Sequence, residues 1–270
     1  KPEKAYNNLD FLHSREGRTV RILSEYLHPL RHFRMHNIRN LIIFFGSART
    51  MSLDQWKIRR GNVKDQLEKA EGQVKMNLEM EMDLLEKRKF LSDIYEETVE
   101  LARLVTEWSN SLPPDKRFYV ASGGGPGMME AANKGAHEAD GLSVGLNISL
   151  PFEQYPNQFI TPDLNFEFHY FFMRKFWFVY YGKAIIVLPG GYGTLDELME
   201  LLTLRQTKKV TKPSPIILYG SEFWKNLINF DYMVEMGVIS EADLNLFRYF
   251  DEPKPAFKYL KEELSNNHKL

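Results

Sequence analysis

Residues 184–203, A-I-I-V-L-P-G-G-Y-G-T-L-D-E-L-M-E-L-L-T, limit the folds open to this chain more than any other stretch. Ala184 to Leu188 form a short, β-branched apolar run suited to a strand buried on both faces of a parallel sheet. Pro189, Gly190, Gly191 and Gly193 follow; with so little side-chain bulk, backbone amides can approach an anion closely, and glycine tolerates positive φ where a turn requires it. A helix then begins, with Leu195, Leu198, Leu201 and Leu202 at helical period. Thr194 reads as its N-cap, and Glu197 three residues on gives the spacing of a capping box. A strand, a glycine turn and a helix N-terminus in succession make a phosphate cradle. The stretch points to a protein that handles nucleotides.

Bulk properties narrow this further. The chain has 270 residues, 43% hydrophobic and 13% aromatic, which suits one large α/β domain or two small ones and excludes the signature of disorder. Its 35 basic and 36 acidic residues give a formal net charge of −1. No global field therefore favours nucleic acid or an anionic membrane, and any anion site must be local. There is no cysteine, which excludes disulfides, thiolate metal sites and a cysteine nucleophile and fits a cytoplasmic setting. The apolar runs are too short for a membrane span. No metal site is expected from the seven histidines.

In chain order, residues 1–16 read as polar and loose, and residues 18–35 as an N-terminal helix with a solvated basic face of Arg31, His32, Arg34 and His36. Residues 41–45 read as a strand, followed by Gly46, Ser47, Ala48 and Arg49 where a first phosphate turn would lie. This turn lacks the G-x-G-x-x-G spacing of a dinucleotide fold, so no NAD is expected. Ser47 and Arg49 could hold a phosphate or ribose, or could cap and solvate a turn. Residues 52–112 are charge-dense and amphipathic: the first part, about 52–93, reads as an inserted helical hairpin with breaks at Gly61 and Gly72, and residues 94–108 as the crossover helix. Residues 118–121 form a second predicted strand, running into S-G-G-G-P-G-M-M-E at 122–130. Three consecutive glycines before a helix are hard to explain by packing alone. Residues 142–148 read as a third strand leading to a loop at 151–154. Residues 165–181 are dense in aromatics, with Arg174 and Lys175 on a helix among the rings, costly unless they face water, a carboxylate or an anion. Residues 215–219 complete the strands, and helices follow.

Alternating strands and helices predict an α/β, Rossmann-like, doubly wound and mostly parallel sheet with helices on both faces, an N-terminal helical extension over 1–37, and one nucleotide-binding domain over 38–270 carrying the insertion at about 52–93. The glycine turns should then share the rim at the C-terminal strand ends.

P-G-G-Y-G-T-L-D-E at 189–197, preceded by Met173, Arg174 and Lys175 and by G-G-G-P-G-M-M-E at 123–130, resembles the LONELY GUY (LOG) family, often labelled "possible lysine decarboxylase". The resemblance spans roughly residues 38–230. It implies a homodimer or higher homo-oligomer, without cofactor, that hydrolyses the N-glycosidic bond of a nucleoside 5′-monophosphate, either a cytokinin riboside monophosphate or an AMP-like nucleotide, to base and ribose 5-phosphate. By the same resemblance Arg174 and Glu197 are catalytic. Gly46, Ser47, Arg49, Gly124, Gly125, Gly127, Met128, Lys175, Gly190, Gly191, Tyr192, Gly193, Thr194 and Asp196 are substrate-binding. On the residues alone Glu197 reads more readily as a cap than as a catalyst, and Tyr192 as easily as loop packing as a wall for base or ribose. A decarboxylase would need a Schiff-base lysine, and no context singles one out. A non-catalytic nucleotide sensor or carrier is the alternative reading.

Overall fold

The computed structural model describes residues 1–151 and 155–270. Phe152, Glu153 and Gln154 of the predicted rim loop lie outside the described residues. In chain order the elements are α1 (Leu9–His13), α2 (Arg18–Met35), β1 (Leu41–Phe45), α3 (Leu53–Leu67), α4 (Gly72–Lys87), α5 (Lys89–Asn110), β2 (Tyr119–Ser122), α6 (Met128–Glu138), β3 (Ser143–Ile148), β4 (Asn165–Phe168), α7 (Phe171–Tyr181), β5 (Gly182–Val187), α8 (Tyr192–Gln206), β6 (Ile216–Tyr219), α9 (Ser221–Leu227), α10 (Phe230–Glu235), β7 (Arg248–Phe250) and α11 (Pro253–His268).

The strands form one sheet in the order β4-β3-β2-β1-β5-β6-β7, and every pairing is parallel. The β-branched and aromatic content of L-I-I-F-F explains why β1 sits at the centre: all five residues are buried. They alternate between two cores, Leu41, Ile43 and Phe45 facing one and Ile42 and Phe44 the other, as the strand period requires. Helices α2, α7, α8 and α9 contribute to the first core, and α5, α6 and α11 to the second. The direction of strand progression reverses between β1 and β5, where doubly wound sheets open a crevice at their C-terminal ends.

Two strands differ from the sequence expectation. The aromatic run at 165–181 divides into β4 and α7, and β4 shows the polar–apolar alternation of an edge strand, with Phe166 and Phe168 buried and Asn165 and Glu167 exposed. β7 closes the other edge with three residues. Its brevity leaves no periodic signal.

The extension is tied to the sheet. Tyr26 of α2 stacks on Trp177 of α7 with ring centroids 5.6 Å apart, and the Trp177 indole donates to the Glu25 carbonyl at 3.0 Å. The Glu25 carboxylate accepts from the His169 amide at 2.8 Å, so α2 braces the β4–α7 junction. The expected solvated face is only partly solvated. Arg31 and Arg34 are exposed, but the His32 ring meets Phe166 edge-on at 5.6 Å and His36 lies 3.5 Å from Asp163.

Residues 53–87 form two helices, α3 and α4, that pack on one another. A capping box between Ser52 and Gln55 opens α3, and Gly61, the expected break, lies inside α3. Gly72, with φ of +56°, does start α4. A small core of Trp56, Val63 and Leu85 joins the helices, and the Trp56 indole donates to the Leu85 carbonyl at 2.8 Å. Arg59–Glu81 and Arg60–Glu86 ion pairs run alongside. Among the described residues, no helix is long and apolar enough to cross a membrane.

Candidate functional site

A cavity of about 640 Å³ opens at the C-terminal ends of β1, β2 and β5. Its wall brings together Gly46, Ser47 and Arg49 after β1, Gly123 after β2, Arg174 of α7, and Gly190, Gly191, Tyr192, Gly193, Thr194 and Glu197 at the head of α8. Residues far apart in sequence thus meet at the switch point of the sheet. Two turns are tied directly, the Ser47 amide donating to the Pro189 carbonyl at 3.0 Å.

The 189–194 turn differs from the expected capping box. α8 starts at Tyr192, with Gly191 at the N-cap and no side-chain cap. Thr194 is therefore inside the first turn, and Glu197 is released from cap duty. The first-turn amides of α8 have no carbonyl partner by helix geometry, so they present donors and the positive end of the helix dipole to the cavity. None of these turn glycines has positive φ. Gly190 is required by close approach, since a Cβ there would collide with Thr194, whereas a Cβ on Gly191 or Gly193 would meet nothing within 4 Å. Tyr192 is 92% exposed on the cavity rim and does not pack over the loop.

Arg174 and Glu197 are the buried charges of the site. The Arg174 guanidinium reaches to 3.7 Å from Glu197 Oε1, and its Nε is buried without a hydrogen-bond partner. Phe171 and Phe178 flank the guanidinium, with ring centroids 5.1 and 5.8 Å away. Burial lowers the Arg174 pKa, opposed by the nearby carboxylates of Glu197 and Asp196. Burial also raises Glu197, to about 7, with Arg174 and Lys175 pulling the other way. Desolvation outweighs the attraction because the carboxylate is buried and the cation is beyond hydrogen-bond reach.

Several predicted residues lie elsewhere. Lys175 donates to Asp196 and Glu200 at 2.8 and 2.7 Å, and neither Lys175 nor Asp196 lines the cavity. Burial weighs against the Lys175 charge, but these hydrogen bonds outweigh it and raise its pKa. Met128 is fully buried beneath Gly46, whose own Cβ would fall 2.6 Å from that of Met128. Gly124, Gly125 and Gly127 stand behind the cavity wall. Gly124 and Gly127 have φ of +75° and +71° and abut Asn147 and the Ser47 carbonyl. The buried Asn157 amide donates to the Gly124 and Gly125 carbonyls at 3.1 and 3.0 Å. Backbone conformation and packing therefore account for Gly124 and Gly127.

The wall also contains Met129, which lies in the 123–130 motif without being among the expected site residues, and Ile148, Leu150 and Leu227, which no motif signals. His28 and His32 of α2 and His36 at its C-cap stand four residues apart, yet among the described residues no group of three histidines or carboxylates is placed to hold a metal ion.

A family model described as "possible lysine decarboxylase" matches residues 129–260. A probable cytokinin riboside 5′-monophosphate phosphoribohydrolase, LOG4 of Oryza sativa subsp. japonica, is 31% identical over 131 residues, 47% of this chain and 55% of its own length. The cytokinin riboside 5′-monophosphate phosphoribohydrolase LOG3 of Arabidopsis thaliana is 29% identical over 149 residues, 53% of this chain and 66% of its own. The chain thus spans between about half and two-thirds of the length of these relatives. Among solved structures, the Moco carrier protein from Chlamydomonas reinhardtii is 16% identical with a TM-score of 0.46, the match covering 84% of this chain and 99% of that one.

Proposed function

This chain belongs to the LOG family, and from that premise we propose that it is a phosphoribohydrolase, cleaving the N-glycosidic bond of a nucleoside 5′-monophosphate to free base and ribose 5-phosphate. The observation that carries the reading is the opposed pair of Arg174 and Glu197 beside the uncapped head of α8. The phosphate lies against the α8 amides and Arg49, where the helix dipole and a cation meet its charge. Arg174, with a donor unspent at Nε, holds the substrate beside the carboxylate.

Glu197 works on the anomeric carbon. As the C1′–N bond breaks, its electron pair leaves with the base and positive charge builds on the ribose, which a buried carboxylate stabilises. The same carboxylate takes a proton from the water whose oxygen bonds to C1′, and the base nitrogen takes a proton from solvent. A pKa of about 7 poises Glu197 for this duty at neutral pH. Lys175, held by Asp196 and Glu200, fixes the α7–α8 contact and stands outside the reacting centre. The enzyme works as a cytoplasmic homodimer or higher oligomer, for which the mass in solution is the check.

The test is incubation of the full chain with AMP, GMP, CMP and isopentenyladenosine monophosphate, with chromatography of free base. Base release that falls by about 10²-fold or more in Glu197→Gln, with folding retained, supports the reading. Tight nucleotide binding with no base released from any of the four overturns it and leaves a nucleotide sensor or carrier.

A further inference from the structure

Beside the site lies a second cavity, of about 540 Å³, over the C-terminal ends of β6 and β7. Leu227 belongs to the walls of both cavities, so one side chain of α9 stands between them. Gly220, with φ of +83°, forms the floor, and a Cβ there would lie 3.0 Å from Ile94 and 3.4 Å from Pro189 of the glycine turn. The two chambers thus lie over neighbouring strand ends of one sheet and share Leu227 as a common wall.

Their chemistry differs. The first presents Arg49, Arg174 and the α8 amides. The second is walled by Phe90, Ile94, Phe223 and Leu227, with Glu222, Asn226 and Asp251 as its polar groups and no lysine, arginine or histidine. Asp251 is already engaged, accepting from the Ser221 amide at 2.6 Å and hydroxyl at 2.7 Å. Glu222 and Asn226, one helical turn apart on α9, are left to meet a ligand edge. A phosphorylated ligand would find no counter-charge here and would face carboxylates. An uncharged planar ring would find phenyl faces, an amide and an acceptor, in a chamber of a size common for small-molecule sites.

We propose that this second cavity is a holding site for the released nucleobase. The inference rests on the phosphoribohydrolase reading, which supplies two products of opposite character. Ribose 5-phosphate is a dianion matched to the first cavity; the base is neutral, planar and aromatic, matched to the second. Once the C1′–N bond has broken and the water oxygen has bonded to C1′, the base passes Leu227, while the ribose 5-phosphate stays on the α8 amides. Phe90, at the start of α5 and directly after the hairpin, contributes a ring to the wall of the second cavity.

The experiment titrates the full chain calorimetrically with adenine, guanine, cytosine and N6-isopentenyladenine, with and without saturating ribose 5-phosphate. The expected result is that the base the enzyme releases binds at one site, with a dissociation constant changed less than about twofold by the sugar phosphate. Phe90→Ala and Asn226→Ala, each checked for folding by circular dichroism, should weaken base binding by about tenfold and leave the nucleotide KM within about twofold. In steady-state assays the base should inhibit noncompetitively against the nucleotide. Binding abolished by ribose 5-phosphate, strictly competitive inhibition, equal affinity in both variants, or no base binding at all overturns the holding site while leaving hydrolysis intact. Absence of base release from every nucleotide overturns the hydrolase reading, and the holding site with it.

Discussion

Arg174 and Glu197 face each other across 3.7 Å, each largely buried, at a separation that leaves no hydrogen bond between them. A closed bidentate pair would hold the carboxylate well below its ordinary value. This open pair leaves the balance to desolvation, and Glu197 sits at about 7.

The first prediction concerns pH. If ionised Glu197 is required, kcat/KM should rise about tenfold per pH unit below about 7 and level off above it. Stability should move the other way. The folded state holds the Glu197 proton more tightly than the unfolded state, whose value lies near 4.5, so the cost of ionisation is absent below about 4.5 and fully present above about 7. Glu197→Gln should therefore gain stability relative to wild type between pH 5 and 8, by on the order of 3 kcal/mol in urea unfolding. Parallel unfolding curves at the two pH values would contradict this.

Arg174→Ala removes the larger of the two cationic influences, with Lys175 the other, that oppose Glu197's upward shift. Its pH–rate limb should move to higher pH, and kcat/KM at pH 7 should fall by about 10²-fold or more. Arg174→Lys should restore the limb partially, because it returns a charge without the planar fork. An unmoved limb in the alanine variant would detach Arg174 from the reacting carboxylate.

The glycines of the turn should separate into two kinds. Gly190→Ala drives a methyl into Thr194 and should destabilise by about 1–3 kcal/mol, read by thermal melting. Gly191→Ala meets no protein atom, so its stability should stay within about 0.5 kcal/mol while nucleotide affinity falls. Unchanged affinity would remove Gly191 from the phosphate contact.

Lys175→Met breaks the contacts to Asp196 and Glu200. Because Lys175 does not line the cavity, kcat should drop less than about tenfold. A loss as large as that of Glu197→Gln, measured in the same base-release assay, would place the ammonium at the reaction.

The alternation of short apolar runs, glycine turns and amphipathic stretches made the parallel sheet legible, and β1 and α2 have their expected bounds. β4 was hidden because aromatic residues serve edge strands and helices equally, and β7 because three residues carry no period. At the site, spacing alone made Thr194 and Glu197 a cap. The helix starts three residues earlier because Tyr192, Gly193 and Thr194 adopt its geometry unaided by a side-chain cap. Lys175 and Met128 sit within the motifs yet point away from the cavity, since a helix presents only part of its circumference to one place. Leu227 and Phe171 belong to the wall through tertiary folding, which no local pattern records.

The hairpin carries one last consequence. Trp56 near its beginning is bonded to Leu85 near its end, so the chain leaves the sheet and returns at almost the same point. Such an appendage can lengthen, shorten or change its outer surface with little effect on the distance between β1 and α5. Its exposed Met76 and Met80 are thus free to vary independently of the chemistry.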